Sequence, residues 1–275
     1  MQDGQTTDDI ISMEKTIQIP LRGRIYASKH YPEYLYDEKA LALEARLPDD
    51  PPQNEFSEYL MMMFAARYRN NDNIVKSFLA KQTKANVVYL GAGLDAAFYR
   101  IRDWRAFFYE VDTPDVIELR RTLYGEEKRE ILFEGDIFDM TWAQQVSKAV
   151  PTMIVASGLL QYFDKGKVLA LLKDIRTEFE KTEIVFEAVN RAGLKFANKY
   201  IQRFTGKEGV LRFSVDDVDM FASDIGAVLV EERPLFAEAR KLLFEDLKLR
   251  TRMSMSLTDR RRNVRTLHLK FDEKV

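Results

Sequence analysis

The sequence predicts an α/β protein built on a parallel sheet with helices on both faces. Short apolar, β-rich runs alternate with helix-like segments through the middle of the chain. Those runs are hydrophobic almost throughout, as in "TMIVAS" (152–157), which suits strands buried on both sides. A third observation marks the place of a ligand. The first run, Val87-Val88-Tyr89-Leu90, stops at Gly91-Ala92-Gly93, and open α/β sheets bind ligands beyond the carboxyl ends of their strands.

The elements follow in order. After a polar opening, "DEKALALEARL" (37–47) reads as a short helix stopped by Pro48, Pro51 and Pro52. Residues 55–82 predict a longer helix with a break near Asn70-Asn71. Strands are expected at 86–90, 106–111, 130–134, 152–156 and 183–189, and helices at 95–101, 114–124, 140–149, 164–180 and 191–205. Residues 225–235 and 263–271 read as two further strands. With no internal repeat, low-complexity tract or linker in view, one domain over 1–275 is expected. It would carry a helical N-terminal segment (1–84) and a helical insertion (191–224).

Composition excludes several function classes. The 275 residues carry a formal net charge of -2, so there is no global electrostatic case for nucleic acid or an anionic membrane. No apolar run is long enough to span a bilayer. The acidic start lacks the apolar core of a signal peptide, and a cytoplasmic protein is expected. Zero cysteines exclude disulfides, thiolate nucleophiles and zinc–thiolate sites. His30 and His268 stand far apart, without metal-site spacing, so no metal is expected.

Gly91-Ala92-Gly93-Leu94-Asp95-Ala96 satisfies G-x-G-x-x-[GA] between a strand and a helix, and Asp112 lies at the tip of the next strand. That pattern fits a nicotinamide-dependent oxidoreductase, with Asp112 on the ribose. Asp95 argues against it. An aspartate at the start of a helix would cap the N–H groups that a pyrophosphate needs and would repel the phosphates. A nucleoside cofactor without phosphate, such as S-adenosylmethionine, tolerates Asp95. A bare turn with no ligand is the remaining reading.

Four stretches in register, "VVYLGAGLDAAFYRI", "FYEVDTPDVIELR", "GDIFD" and "ASGLLQYF", resemble the leucine carboxyl methyltransferase-like family. That family includes protein-phosphatase carboxyl methyltransferases and O-methyltransferases of polyketide biosynthesis. The resemblance runs from about residue 22 to 190, with "FAARYRNNDNIVKSFL" matching the family's Arg-bearing helix. It implies a class I methyltransferase, a Rossmann-like, seven-stranded, mostly parallel sheet whose final hairpin supplies one antiparallel strand. It also implies S-adenosyl-L-methionine as cofactor and O-methylation of a small-molecule hydroxyl or phenol, or of a carboxylate. Carried over residue by residue, Arg67 would bind the cofactor carboxylate and Gly91 and Gly93 would admit the methionine tail. Asp112 would take the ribose hydroxyls, and Asp136 with Ile137 would flank the adenine.

The sequence departs from the family at Ser157, where a glutamate usually stands. Either Glu187 on the next strand supplies the charge, cofactor affinity is reduced, or the chain is a non-catalytic nucleoside-binding relative. Tyr162 and Tyr200 are the acceptor-side candidates, and Phe196, Tyr200 and Phe204 share a helix face that would suit an aromatic lid. Met61-Met62-Met63 reads as core filler, and Arg260-Arg261-Arg262 as a solvated loop. Arg24, Lys29 and His30 lie in the segment that folds over the cofactor in the family. No general base is identified, and the oligomeric state is left open.

Overall fold

The computed structural model describes residues 15–47, 57–205 and 209–272. The polar opening and the prolines at 48, 51 and 52 therefore lie outside the described residues. Helices α1 (Lys15–His30), α2 (Glu38–Ala42) and α3 (Glu58–Leu79) precede strand β1 (Ala85–Leu90). Then come α4 (Ala97–Ile101), β2 (Ala106–Asp112), α5 (Pro114–Tyr124) and β3 (Glu130–Glu134). They are followed by β4 (Thr152–Ala156), α6 (Lys165–Glu178), β5 (Thr182–Val189) and α7 (Arg191–Thr205). The chain continues through α8 (Val218–Ile225), β6 (Ala227–Pro234), α9 (Ala237–Leu242), α10 (Leu249–Arg260) and β7 (Val264–Phe271).

Seven strands form one sheet in the order β3-β2-β1-β4-β5-β7-β6. The first five pair in parallel, while β7 runs antiparallel to both β5 and β6. This is the mostly parallel arrangement that the resemblance implies. Strand order reverses between β1 and β4, which opens a crevice at their carboxyl ends. Alternate residues of each strand enter opposite cores. Val87, Tyr89, Met153, Val155 and Val185 pack against Ile74, Val75 and Phe78 of α3. Val88, Ile154, Ile184 and Phe186 pack against the α6 and α8 side chains Leu172, Ile175, Phe221 and Ile225.

The structure adds to or departs from the expectations at four points. Helix α3 runs unbroken through Asn70-Asn71, because Asn70, Asn71 and Asp72 are buried and find polar partners inside the protein. Asn70 Nδ2, for example, donates to Leu235 O at 2.9 Å. Residues 15–30, expected only as part of a helical N-terminal segment, form a helix with bounds of its own. Pro20 sits inside it and removes one backbone donor, yet Leu21 and Ile25 bury one face against Leu94 and Leu119. The expected helix at 140–149 is a short 3-10 turn, Thr141–Gln145, entered through Met140 at φ 57°. Among the described residues of the insertion, 191–205 and 218–224 are helical and 209–217 are not, and from that non-helical stretch Val215 N donates to Val189 O at 2.8 Å.

Candidate functional site

At the end of β1 the chain turns through Gly91 (φ +61°) and Gly93 (φ +52°), a region of backbone space that favours glycine. The two glycines have different surroundings. A Cβ on Gly91 would lie 2.6 Å from Leu159, so its room is already filled by packing, whereas a Cβ on Gly93 would meet nothing within 4 Å. Of the two, only Gly93 has open space beside its Cα.

The carbonyls of this turn face inward onto cations. Arg120 Nη1 donates to Gly93 O at 2.9 Å and to Asp95 O at 2.7 Å. Leu94 O accepts from Arg24 Nη2 and, at 2.9 Å, from the Tyr124 hydroxyl. On the other side, Gly93 N–H donates to Asp112 Oδ2 at 2.8 Å, while Asp112 Oδ1 accepts from Thr113 N–H at 2.8 Å. The turn is thus fixed before any ligand arrives.

Asp95 does not do what the sequence suggested. Helix α4 starts only at Ala97 and has no side-chain cap. The Asp95 carboxylate accepts from Arg100 Nη2 at 2.8 Å and is buried. Arg100 also grips Asp72 through two bonds, at 2.8 and 2.9 Å, and Asp37 at 2.7 Å. Asp37 in turn pairs with Arg24 at 2.6 Å. Burial works to raise the Asp37 pKa, but Arg24 and Arg100 outweigh it and hold the carboxyl at about 2. A second buried cluster lies under the turn. Arg120 faces Glu130 at 2.9 Å and Glu110 at 3.4 Å. Neither Glu110 oxygen has a hydrogen-bond partner, and burial pushes its pKa up to about 8 against the pull of Arg120.

Arg67 reaches the crevice from α3. Its guanidinium lies over Gly158 (φ +63°), where a Cβ would come within 2.2 Å of Nη1. Its Nε is buried without a hydrogen-bond partner. Burial opposes its charge, but Tyr68 and Glu187 more than offset that. Glu187, buried on β5, accepts from Asn71 Nδ2 at 2.7 Å and from Gly158 N–H at 2.6 Å. Asn71 Nδ2 also lies 3.1 Å from Ser157 Oγ. Burial raises the Glu187 pKa, with Arg67, Asn71 and Gly158 pulling the other way.

The other expected residues come from several elements. Asp136 is exposed after β3 and accepts from Phe138 N–H at 3.0 Å. Ile137 is buried, and its carbonyl accepts from Trp142 Nε1 at 3.1 Å. Tyr162 and Tyr200 are half-buried, Phe196 is exposed, and the Phe204 side chain lies outside the described residues. Met61 and Met62 are core, as expected. Arg24 serves the turn, but Lys29 pairs with Glu44 at 2.8 Å on the surface and His30 packs against Tyr26 with the rings tilted and their centroids 4.4 Å apart. Sequence reasoning missed Arg100, Arg120, Asn71 and Gly158. The arginines were visible inside the quoted stretches, without a local pattern to give them a role. Among the described residues there is no metal-ligating group of three or more, and no helix is long and apolar enough to cross a membrane.

Comparison with known proteins identifies the family. Residues 24–176, more than half of the chain, match the family described as leucine carboxyl methyltransferase. The tetracenomycin polyketide synthesis O-methyltransferase TcmP of Streptomyces glaucescens is 25% identical over 242 residues, covering 84% of this chain and 88% of that protein. The S-adenosyl-L-methionine-dependent methyltransferase dpfgK of Gibberella zeae is 28% identical over 146 residues, 48% of this chain and 49% of that protein. A crystal structure from Thermobifida fusca superposes with a TM-score of 0.57 at 16% identity, covering 92% of this chain and 94% of that one. A DUF574 family protein from Streptomyces avermitilis gives 0.56 at 12% identity, covering 91% and 97%. These structural likenesses speak to the fold alone. With the family match the dinucleotide alternative is set aside: the chain belongs to the leucine carboxyl methyltransferase family and is an S-adenosylmethionine-dependent methyltransferase.

Proposed function

We propose that the protein methylates an oxygen of a small molecule, and that this oxygen is already ionised near neutral pH: a carboxylate or an acidic phenol. One observation carries the reading. Both histidines are engaged with other side chains. His268 pairs with Glu183 at 2.6 Å, and His30 packs on Tyr26 at the exposed end of α1. An acceptor that arrives ionised needs no base. Similarity to TcmP, a polyketide O-methyltransferase by name, supports oxygen as the acceptor atom.

S-adenosylmethionine, when bound, supplies a methyl group made electrophilic by a sulfonium. The task of this chain is to bind it, align it and keep water away. The residues present suit that group. Arg67, with its buried Nε unpartnered, offers the methionine carboxylate a bidentate, charge-assisted contact. Gly93 leaves room for the methionine tail, while Gly91 shapes the turn around Leu159. Asp112 would accept the ribose hydroxyls in exchange for its bond to Gly93 N–H. Asp136 and the apolar wall of Ile137 would flank the adenine, and Ser157 would line the far side with Asn71. Tyr162 and Tyr200 remain the acceptor-side candidates, orienting the ionised oxygen for in-line attack.

The test is transfer of a labelled methyl group to a panel of aromatic carboxylates, acidic phenols, aliphatic alcohols and amines. The expected products are methyl esters or aryl methyl ethers. Label found only on amines or only on aliphatic alcohols would refute an ionised-oxygen acceptor.

A further inference from the structure

Two opposite charges stand near the ends of β4 and β5 without joining. Arg67 brings a cation whose Nε has no partner. Glu187 brings a carboxylate, 4% exposed, whose hydrogen bonds come from two neutral donors, Asn71 at 2.7 Å and Gly158 N–H at 2.6 Å. The Gly158 peptide stands between them, bonded to Glu187 and lying under the Arg67 guanidinium. Each charge favours the ionised form of the other against the burial that opposes it. A buried carboxylate is costly unless a positive charge answers it, and each of its oxygens keeps lone-pair capacity beyond one bond. The split pair is therefore set to meet a ligand that carries both signs.

We propose that Glu187 is the residue by which the site tells the sulfonium cofactor from its thioether product. The inference rests on S-adenosylmethionine being the cofactor. The carboxylate and ammonium of the amino-acid end are common to S-adenosylmethionine and S-adenosylhomocysteine, and they cancel when the two are compared. Only the sulfonium charge differs. Glu187 acts on that difference through its field, across the Ser157-Gly158 turn, and needs no direct contact. At an effective dielectric of about 20, a unit charge within about 10 Å shifts an equilibrium roughly tenfold. The consequence is discrimination against product, because a site that favours the positively charged ligand releases the neutral thioether more readily.

Glu187→Gln isolates the charge. The new amide can still accept from Gly158 N–H. Its own N–H can turn to Asn71 Oδ1, which is buried and without a partner, after the Asn71 amide flips. Calorimetric titration of parent and variant would use S-adenosylmethionine, S-adenosylhomocysteine and sinefungin, an analogue with an amine-bearing carbon in place of the methylated sulfur. In E187Q the preference for S-adenosylmethionine over S-adenosylhomocysteine should fall about tenfold, with sinefungin following S-adenosylmethionine. Glu187→Asp, which keeps the charge, should hold the ratio even if every affinity drops. Equal weakening of all three ligands in E187Q would mean that Glu187 only shapes the turn, and an unchanged ratio would equally overturn the proposal. If the parent binds none of the three, the cofactor reading itself fails and the proposal falls with it.

Discussion

Glu110→Gln should stabilise the protein, and by more as the pH rises from 5 to 8. Glu110 is fully buried in β2, its oxygens lack hydrogen bonds, and it shares the Arg120 cation with Glu130. Burial lifts its pKa from 4.5 to about 8 in the folded protein. The sign follows from proton counting. Between those two values the unfolded chain has released the proton and the native protein still holds it, so stability falls as the pH rises through the window. The slope approaches about 1.4 kcal/mol per pH unit, which accumulates to on the order of 3 kcal/mol by pH 7. Glutamine has nearly the same shape and never ionises, so the slope should vanish with it. The assay is urea unfolding of parent and variant at pH 5, 6, 7 and 8. Other titrating groups are common to both chains and largely cancel in the difference. The two should be nearly equal at pH 5 and diverge in favour of the variant. If the variant is instead the weaker protein at pH 8, Glu110 is ionised in the fold and its pairing with Arg120 outweighs burial. Losing a buried ion pair of that kind typically costs about 3–5 kcal/mol.

Arg67→Ala should weaken S-adenosylhomocysteine binding about ten- to a hundredfold by calorimetry, as loss of a charge-assisted pair requires; unchanged affinity would remove Arg67 from the carboxylate site. Gly158→Ala should push the Arg67 guanidinium aside, because its Cβ would collide with Nη1 at a φ of +63°. It should lower both the melting temperature and cofactor affinity, and a variant that binds like the parent would show that Arg67 does not need its present position. Ser157→Glu should not tighten S-adenosylmethionine. Asn71 already joins Ser157 to the buried Glu187, so a second carboxylate there should take up a proton and loosen the turn, and tighter binding would contradict this.

The parallel strands were legible because burial on both faces leaves nearly continuous apolar runs, and α5 because Pro114 opens it and Gly125 closes it. Helix α1 was hidden by Pro20, although Leu21 and Ile25 carry the spacing of a buried face. The polar pair Asn70-Asn71, followed by Asp72, suggested a break because polar residues usually signal solvent. Here each one meets a buried partner brought by a distant part of the chain. Asp95 misled for the same reason: its neighbour Arg100 was in view, but not the network that turns both inward. The glycine turn and Asp112 could be read from local pattern. The Arg67–Gly158–Glu187 arrangement could not, since its members come from three elements far apart in sequence.

Asp37 is shared by Arg24 and Arg100, and Arg24 also holds the carbonyl of Leu94. Ligand-binding loops usually belong to the least stable part of a protein and open on their own. This one cannot open without pulling apart buried charges that also fasten α1 and α3. The turn and the first helix should therefore exchange their amide hydrogens as one cooperative unit. Cofactor bound at Gly93 would then slow exchange along α1 as well, so that a helix well before the glycine turn in sequence registers whether the crevice is filled.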